Sequence, residues 1–185
     1  MASGIRVLLL IIASFLTAGF VGWVVTLFNS LIQVKNNIGK AWHNIDVLLL
    51  QRNEELPKLM DLVKAYGRHE QDLLRSLTVL RTSYGNARST TAKTNIENQI
   101  REKIGYFAAA GEQYPDLKSI ELYQKTMKRI SDLEGSIADR RAFFNDTVNI
   151  YNIQIEQFPQ VILASLLRYR PHPYLNHPLK KTGAA

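Results

Sequence analysis

The chain has 185 residues, a net charge of +7 and no cysteine. That length allows one ordinary domain beside a targeting or membrane segment, and the missing cysteines exclude disulfides, thiolate metal centres and thiol-linked lipid. The charge does not point to nucleic acid: residues 29–160 hold 18 basic and 16 acidic residues, and the excess lies in a tail carrying Arg168, Arg170, Lys180 and Lys181 with no acid, whereas a nucleic-acid binder carries its basic stripe on the folded domain.

Residues 1–6 form a short flank. Val7 to Phe28 then gives 22 residues without a charge. As a helix, at about 1.5 Å per residue, they reach roughly 33 Å, enough to cross a bilayer core. A cleaved signal peptide needs a short apolar core and small residues at the cleavage site. Leu16-Thr17-Ala18 fits that poorly and the apolar run continues beyond it, so the expected element is an uncleaved transmembrane anchor. Ser14, Ala18, Gly22 and Thr26 recur every four residues. Such a stripe is either ordinary membrane-helix composition or a face for close lateral self-association. Lys35 and Lys40 precede the first acid, Asp46. With the basic tail, they favour a cytoplasmic bundle domain.

Residues 29–159 read as a helical bundle. Ile38, Trp42, Ile45, Leu49, Leu56, Leu59, Val63 and Tyr66 fall on one seam, in steps of three and four. The spacing predicts one helix continuing from the anchor through Pro57, where a kink is expected, to a stop at Gly67. A second helix is expected from His69 to Arg88, with Leu73, Leu74, Leu77 and Leu80 inward. Thr94 and Glu97 have capping-box spacing and predict the start of a third helix, which runs to Ala110. A continuous helix over 69–110 is the alternative. Gly111 to Asp116, with Pro115, reads as a turn.

The last long helix is expected from Leu117 to Gln157. Tyr123, Ile130, Ile137, Phe144, Tyr151 and Phe158 repeat every seven residues. Ile120, Met127, Val148 and Ile155 form a companion row, which Glu134 and Arg141 interrupt. This is coiled-coil-like packing. The fold class is therefore all-α: a transmembrane helix continuing into an antiparallel four-helix bundle with long first and last helices. With Tyr66 set opposite Leu117, Arg52 faces the region of residue 131, within a turn of Glu134. The two seam charges either pair inside the bundle, which lowers the cost of burying each, or snorkel to solvent.

The same register sets Phe158 opposite residue 25, at the membrane surface, on a two-helix stalk. Residues 160–185 form an apolar, then basic and proline-rich tail. Its apolar part, including Leu163, Leu166 and Leu167, is too short to span. Arg168, Tyr169 and Arg170 follow it, a pattern that suits the anionic headgroup boundary or a cap over the bundle's end. The run Pro171 to Pro178 is expected to be extended. Asn145, Asp146 and Asn152, with the hydroxyls of Tyr151 and Tyr66, form either a buried hydrogen-bond network or an exposed polar flank.

Taken in order, these segments resemble the LemA family. They are Ala41-Trp42-His43-Asn44-Ile45-Asp46-Val47, Gln51-Arg52-Asn53, Leu56-Pro57-Lys58-Leu59, Val63-Lys64-Ala65-Tyr66 with His69-Glu70, Tyr114-Pro115-Asp116-Leu117-Lys118, and Arg140-Arg141-Ala142-Phe143-Phe144-Asn145-Asp146 with Tyr151-Asn152 and Phe158-Pro159. The resemblance implies a small bacterial membrane protein with a short external amino terminus, a cytoplasmic helical bundle and no established enzymatic activity. Some members of the family belong to the protein set of magnetosome formation, which implies membrane organisation. The basic, proline-rich ending departs from the aromatic-acidic ending common in the family.

No catalytic constellation stands out. The histidines are His43, His69, His172 and His177, and none has a glutamate three residues before it, so the di-iron bundle motif is absent. His69-Glu70 lacks a second histidine at zincin spacing. His172 and His177 read as surface residues, with weak metal binding the alternative. Glu54-Glu55 reads as a solvated helix face, and no phosphate loop or G-x-S-x-G is present. The sequence predicts no catalytic or metal residue, no cofactor and no enzyme. It predicts a membrane scaffold that binds anionic lipid and forms homo-oligomers, or an accessory subunit of another membrane protein such as a protease or transporter.

Overall fold

The computed structural model describes residues 2–66 and 71–175. Every element among them is a helix: α1 (Ala2–Tyr66), α2 (Gln71–Asn86), α3 (Thr90–Gln113), α4 (Pro115–Ser119), α5 (Glu121–Glu156) and α6 (Gln160–Leu166). α1 runs 65 residues and passes through Pro57 without ending. The expected stop at Gly67 and start at His69 lie outside the described residues. The described residues form two compact units, one of residues 2–40 with 144–174 and one of residues 41–66 and 71–143 with Leu175.

In the second unit, Ala41, Ile45, Leu49, Arg52, Leu56, Leu59 and Val63 of α1 are buried, a helical seam in steps of three and four. Trp42, expected on that seam, is only half-buried. The smaller Ala41 takes the inward position, and the indole lies to its side. Leu77, Ile100, Ile104, Phe107, Leu117, Tyr123 and Ile130 close the core with Leu56, Leu59 and Val63.

The break between α2 and α3 gives the two separate helices expected and excludes one continuous helix, but two boundaries differ from expectation. α3 begins at Thr90, four residues before Thr94, because Ser89 caps it: the Ser89 hydroxyl accepts from the Ala92 amide at 3.1 Å. Glu97 is consequently not part of a capping box. The expected turn at 111–116 is also shorter. α3 continues through Gly111 to Gln113, and α4 opens with Pro115 at its first position, where a missing N–H costs nothing. Ile120, extended at φ −71° and ψ 121°, separates α4 from α5. Gly111 is buried in α3 because the Tyr123 ring lies directly against it, with the Tyr123 hydroxyl donating to the Phe107 carbonyl at 2.6 Å.

In the first unit, Leu31 and Ile38 of α1, Phe144, Val148, Tyr151 and Ile155 of α5, and Ala164 of α6 are buried. Phe158 leaves the seven-residue row and is 80% exposed; it follows the end of α5 and precedes a cis peptide to Pro159. The apolar stretch of α1 is long and apolar enough to cross a membrane, and none of it is covered by protein.

Candidate functional site

The largest polar constellation is a charge cluster in the second unit, built from three helices. Arg52 comes from α1, Glu97 and Arg101 from adjacent turns of α3, and Glu134 and Arg141 from one face of α5. Arg52 is fully buried, and its Nη1 donates to Glu97 Oε1 at 3.0 Å and to Glu134 Oε1 at 2.7 Å. Arg101 spans the same two carboxylates, donating through Nε to Glu134 Oε2 at 3.2 Å and through Nη2 to Glu97 Oε1 at 3.3 Å. Arg141 Nη2 donates to Glu97 Oε2. Glu97 thus accepts from three guanidinium groups while itself fully buried.

Burial, and then the neighbouring Arg52 charge, lower the Arg141 pKa to about 10, so Arg141 stays charged at neutral pH. Arg52 Nε and Nη2 and Arg141 Nη1 are buried and have no protein acceptor. The cluster ties α1, α3 and α5 to one another through ion pairs.

A second polar group lies in the same unit. Asp46 of α1 accepts from the Tyr84 hydroxyl of α2 at 2.6 Å and from Lys93 Nζ of α3 at 2.7 Å. Burial raises the Asp46 carboxyl, but the bonds from Lys93 and Tyr84 outweigh it, and the net pKa lies below the ordinary value. Burial, and then the bond to Asp46, push the Tyr84 phenol well up. Among the described residues, no three His, Asp or Glu side chains gather as metal ligands.

In the first unit, the tail turns back along α5. Leu167 is the C-cap of α6; the Arg168 amide donates to Ser165 O at 3.1 Å and the Tyr169 amide to Ala164 O at 2.9 Å. This is the Schellman pattern, with Arg168 at its left-handed position, φ 54°. Asn152 then grips the backbone of His172 from both sides, accepting from its N–H at 2.8 Å and donating to its carbonyl at 3.0 Å. The Tyr151 hydroxyl donates to Arg170 O at 3.1 Å, and Tyr174 donates to Asn149 at 3.1 Å. The Phe144 and His172 rings meet edge to face.

The sequence-predicted residues fall as follows. Arg52 and Glu134 are brought together, by a register three residues from the expected one. Ser14, Ala18, Gly22 and Thr26 lie on one exposed face of α1, and the Thr26 hydroxyl folds onto Gly22 O at 2.9 Å. Leu163 is half-buried, Leu166 is 78% exposed, and Leu167, Arg168 and Arg170 are exposed around a half-buried Tyr169. Asn152 and Tyr151 bond to the returning tail, so the stalk expected to have two helices gains a third layer. His177 and the Tyr66 side chain lie outside the described residues.

Sequence reasoning missed Glu97, Arg101 and Arg141 as members of the cluster. Their signal was present: Glu97 and Arg101 are four apart, and Glu134 and Arg141 were marked as interruptions of an apolar row. Glu97 was instead assigned to a helix start.

The profile of the LemA family matches residues 41–184. Protein LemA of Metamycoplasma hominis is 29% identical over 131 residues, 70% of this chain and 60% of that protein. Magnetosome protein MamQ 2 of Paramagnetospirillum magneticum is 32% identical over 71 residues, 38% of this chain and 26% of that protein. Magnetosome protein MamQ of Magnetospirillum gryphiswaldense is 27% identical over 92 residues, 50% of this chain and 34% of that protein. The chain thus spans between a quarter and 60% of the length of these relatives. The profile match takes in both the charge cluster and the tail-gripping residues of α5, and on it the chain belongs to the LemA family.

Proposed function

We propose that this protein is a single-pass, membrane-anchored scaffold without enzymatic activity. The observation that carries this is the exposed apolar stretch of α1. Large side chains there, such as Phe15 at 77% and Phe20 at 62%, lie open for its whole length. Soluble proteins do not present so long an apolar surface to water, and lipid covers it. In this reading residues 7–28 span the membrane and the second unit is an antiparallel four-helix bundle on the cytoplasmic side. The Arg52–Glu97–Glu134 cluster acts as its register lock, a specificity role that buried ionic groups serve in some folds.

Copies associate through Ser14, Ala18, Gly22 and Thr26, where small side chains let helices approach. The tail meets anionic lipid at the boundary. The magnetosome names of two relatives agree with a role in membrane organisation. The test is alkaline extraction of membranes followed by light scattering of the purified protein in mild detergent. The expected result is retention in the membrane pellet and a particle holding two or more copies of the 21.1 kDa chain. A strict monomer that co-purifies with one stoichiometric membrane partner supports an adaptor subunit instead.

A further inference from the structure

The tail of the first unit carries a residue in the wrong backbone conformation for its type. Arg168 holds the left-handed position of a Schellman turn, φ 54°, which glycine usually fills because a Cβ is disfavoured there. A strained residue that persists points toward a role for its side chain. Its neighbours indicate what that role is. Arg170 is two residues on. The Tyr169 ring between them lies 4.3 Å from Lys35 Nζ of α1 and packs on Tyr151. No carboxylate pairs with Lys35, Arg168 or Arg170 among the described residues. Directly before Arg168 and Arg170 in the chain come exposed apolar side chains: Phe158 at 80%, Ile162 at 59% and Leu166 at 78%.

We infer that Lys35, Arg168 and Arg170 form a headgroup site for an anionic phospholipid, above an apolar wedge of Phe158, Ile162 and Leu166 that enters the acyl boundary. This rests on the membrane-anchored reading and adds to it a composite site, of which Lys35 on α1 is one wall. The height along α1 agrees. Lys35 stands seven residues beyond Phe28, about 10 Å of helix rise, a few Å above the headgroup layer. Its long stem lets the ammonium reach down to the phosphate level. Asn152 acts as a positioning residue. Its two bonds to the His172 backbone hold the tail against α5 whatever side chain stands at that position, and so hold Tyr169, with Arg168 and Arg170 on either side of it in the chain, against Lys35.

The experiment is native mass spectrometry of the full chain, first recovered from the membrane pellet, with phosphatidylglycerol or phosphatidylcholine added at equal concentration. Wild type retains phosphatidylglycerol over phosphatidylcholine, and Lys35→Gln and Arg168→Gly each lower that retention about fivefold, the effect of one basic residue at a lipid surface. Arg168→Gly also raises Tm, because it relieves the backbone, so its loss of lipid is not a loss of fold. Asn152→Ala lowers retention without changing any charge. Lys128→Gln with Arg129→Gln, two exposed cations on the part of α5 that belongs to the second unit, leaves retention at the wild-type level.

The site is overturned if Lys35→Gln and Arg168→Gly retain lipid as wild type does, or if the Lys128/Arg129 pair loses as much as they do. Equal retention of the two lipids by a protein that remains in the pellet overturns the headgroup site alone. A protein found in the soluble fraction overturns the anchor and the site together.

Discussion

Arg52 and Glu134, 82 positions apart in the chain, meet at 2.7 Å in the second unit. Glu97 stands on the other side of the same guanidinium nitrogen. The pair is therefore part of a network in which each carboxylate serves more than one arginine. A double-mutant cycle with Arg52→Met and Glu134→Gln, followed by chemical denaturation in mild detergent, is expected to give a coupling of about 1–3 kcal/mol, as for residues in one ion-pair network. Glu97→Ala is expected to cost about 3–5 kcal/mol, because it leaves buried guanidinium groups without a counter-charge.

Stability is expected to fall at both ends of the pH range through the Asp46–Tyr84 contact. The folded pKa of Asp46 lies below its unfolded value, so its contribution is complete above about pH 4 and is lost as pH falls through the folded value. The folded pKa of Tyr84 lies above its unfolded value. Its contribution is complete below about pH 10 and is lost as pH rises beyond that. Denaturation midpoints measured across pH should show both limbs. Asp46→Asn should flatten the acid limb and Tyr84→Phe the alkaline one.

Gly111 is held at glycine by the ring of Tyr123, not by its backbone angles. Gly111→Ala is expected to destabilise the second unit by about 1–3 kcal/mol, the usual cost of overpacking. Tyr123→Phe removes the bond to Phe107 O and is expected to cost about 1 kcal/mol. Because the phenol oxygen is the atom nearest the added methyl, the double variant should cost less than the two singles together. Thermal unfolding of the four proteins reads this directly.

Much of the helix content was legible in the sequence because apolar periodicity is a local signal. The long seams of α1 and α5 follow steps of three and four that no other element explains, and Arg52 and Glu134 stood out as charges on apolar rows. What was not legible depended on partners far away in the chain. Thr94 and Glu97 have the spacing of a helix start, yet Glu97 is claimed by arginines from three helices and Ser89 supplies the cap. Gly111 looked like a turn because only the folded chain brings Tyr123 against it. The return of the tail could not be read from composition, since Asn152 grips backbone atoms, which are the same in every sequence.

The most direct test of an anchored, self-assembling scaffold uses the fact that the chain has no native cysteine. Gly22→Cys, Ala18→Cys and Phe20→Cys each introduce a single thiol into α1, the first two on the small-residue face and the third on the opposite side. Oxidative cross-linking in isolated membranes is predicted to give disulfide-linked dimers for Gly22→Cys and Ala18→Cys and none for Phe20→Cys. Cross-linking equal at all three positions, or absent from all three, would contradict the account.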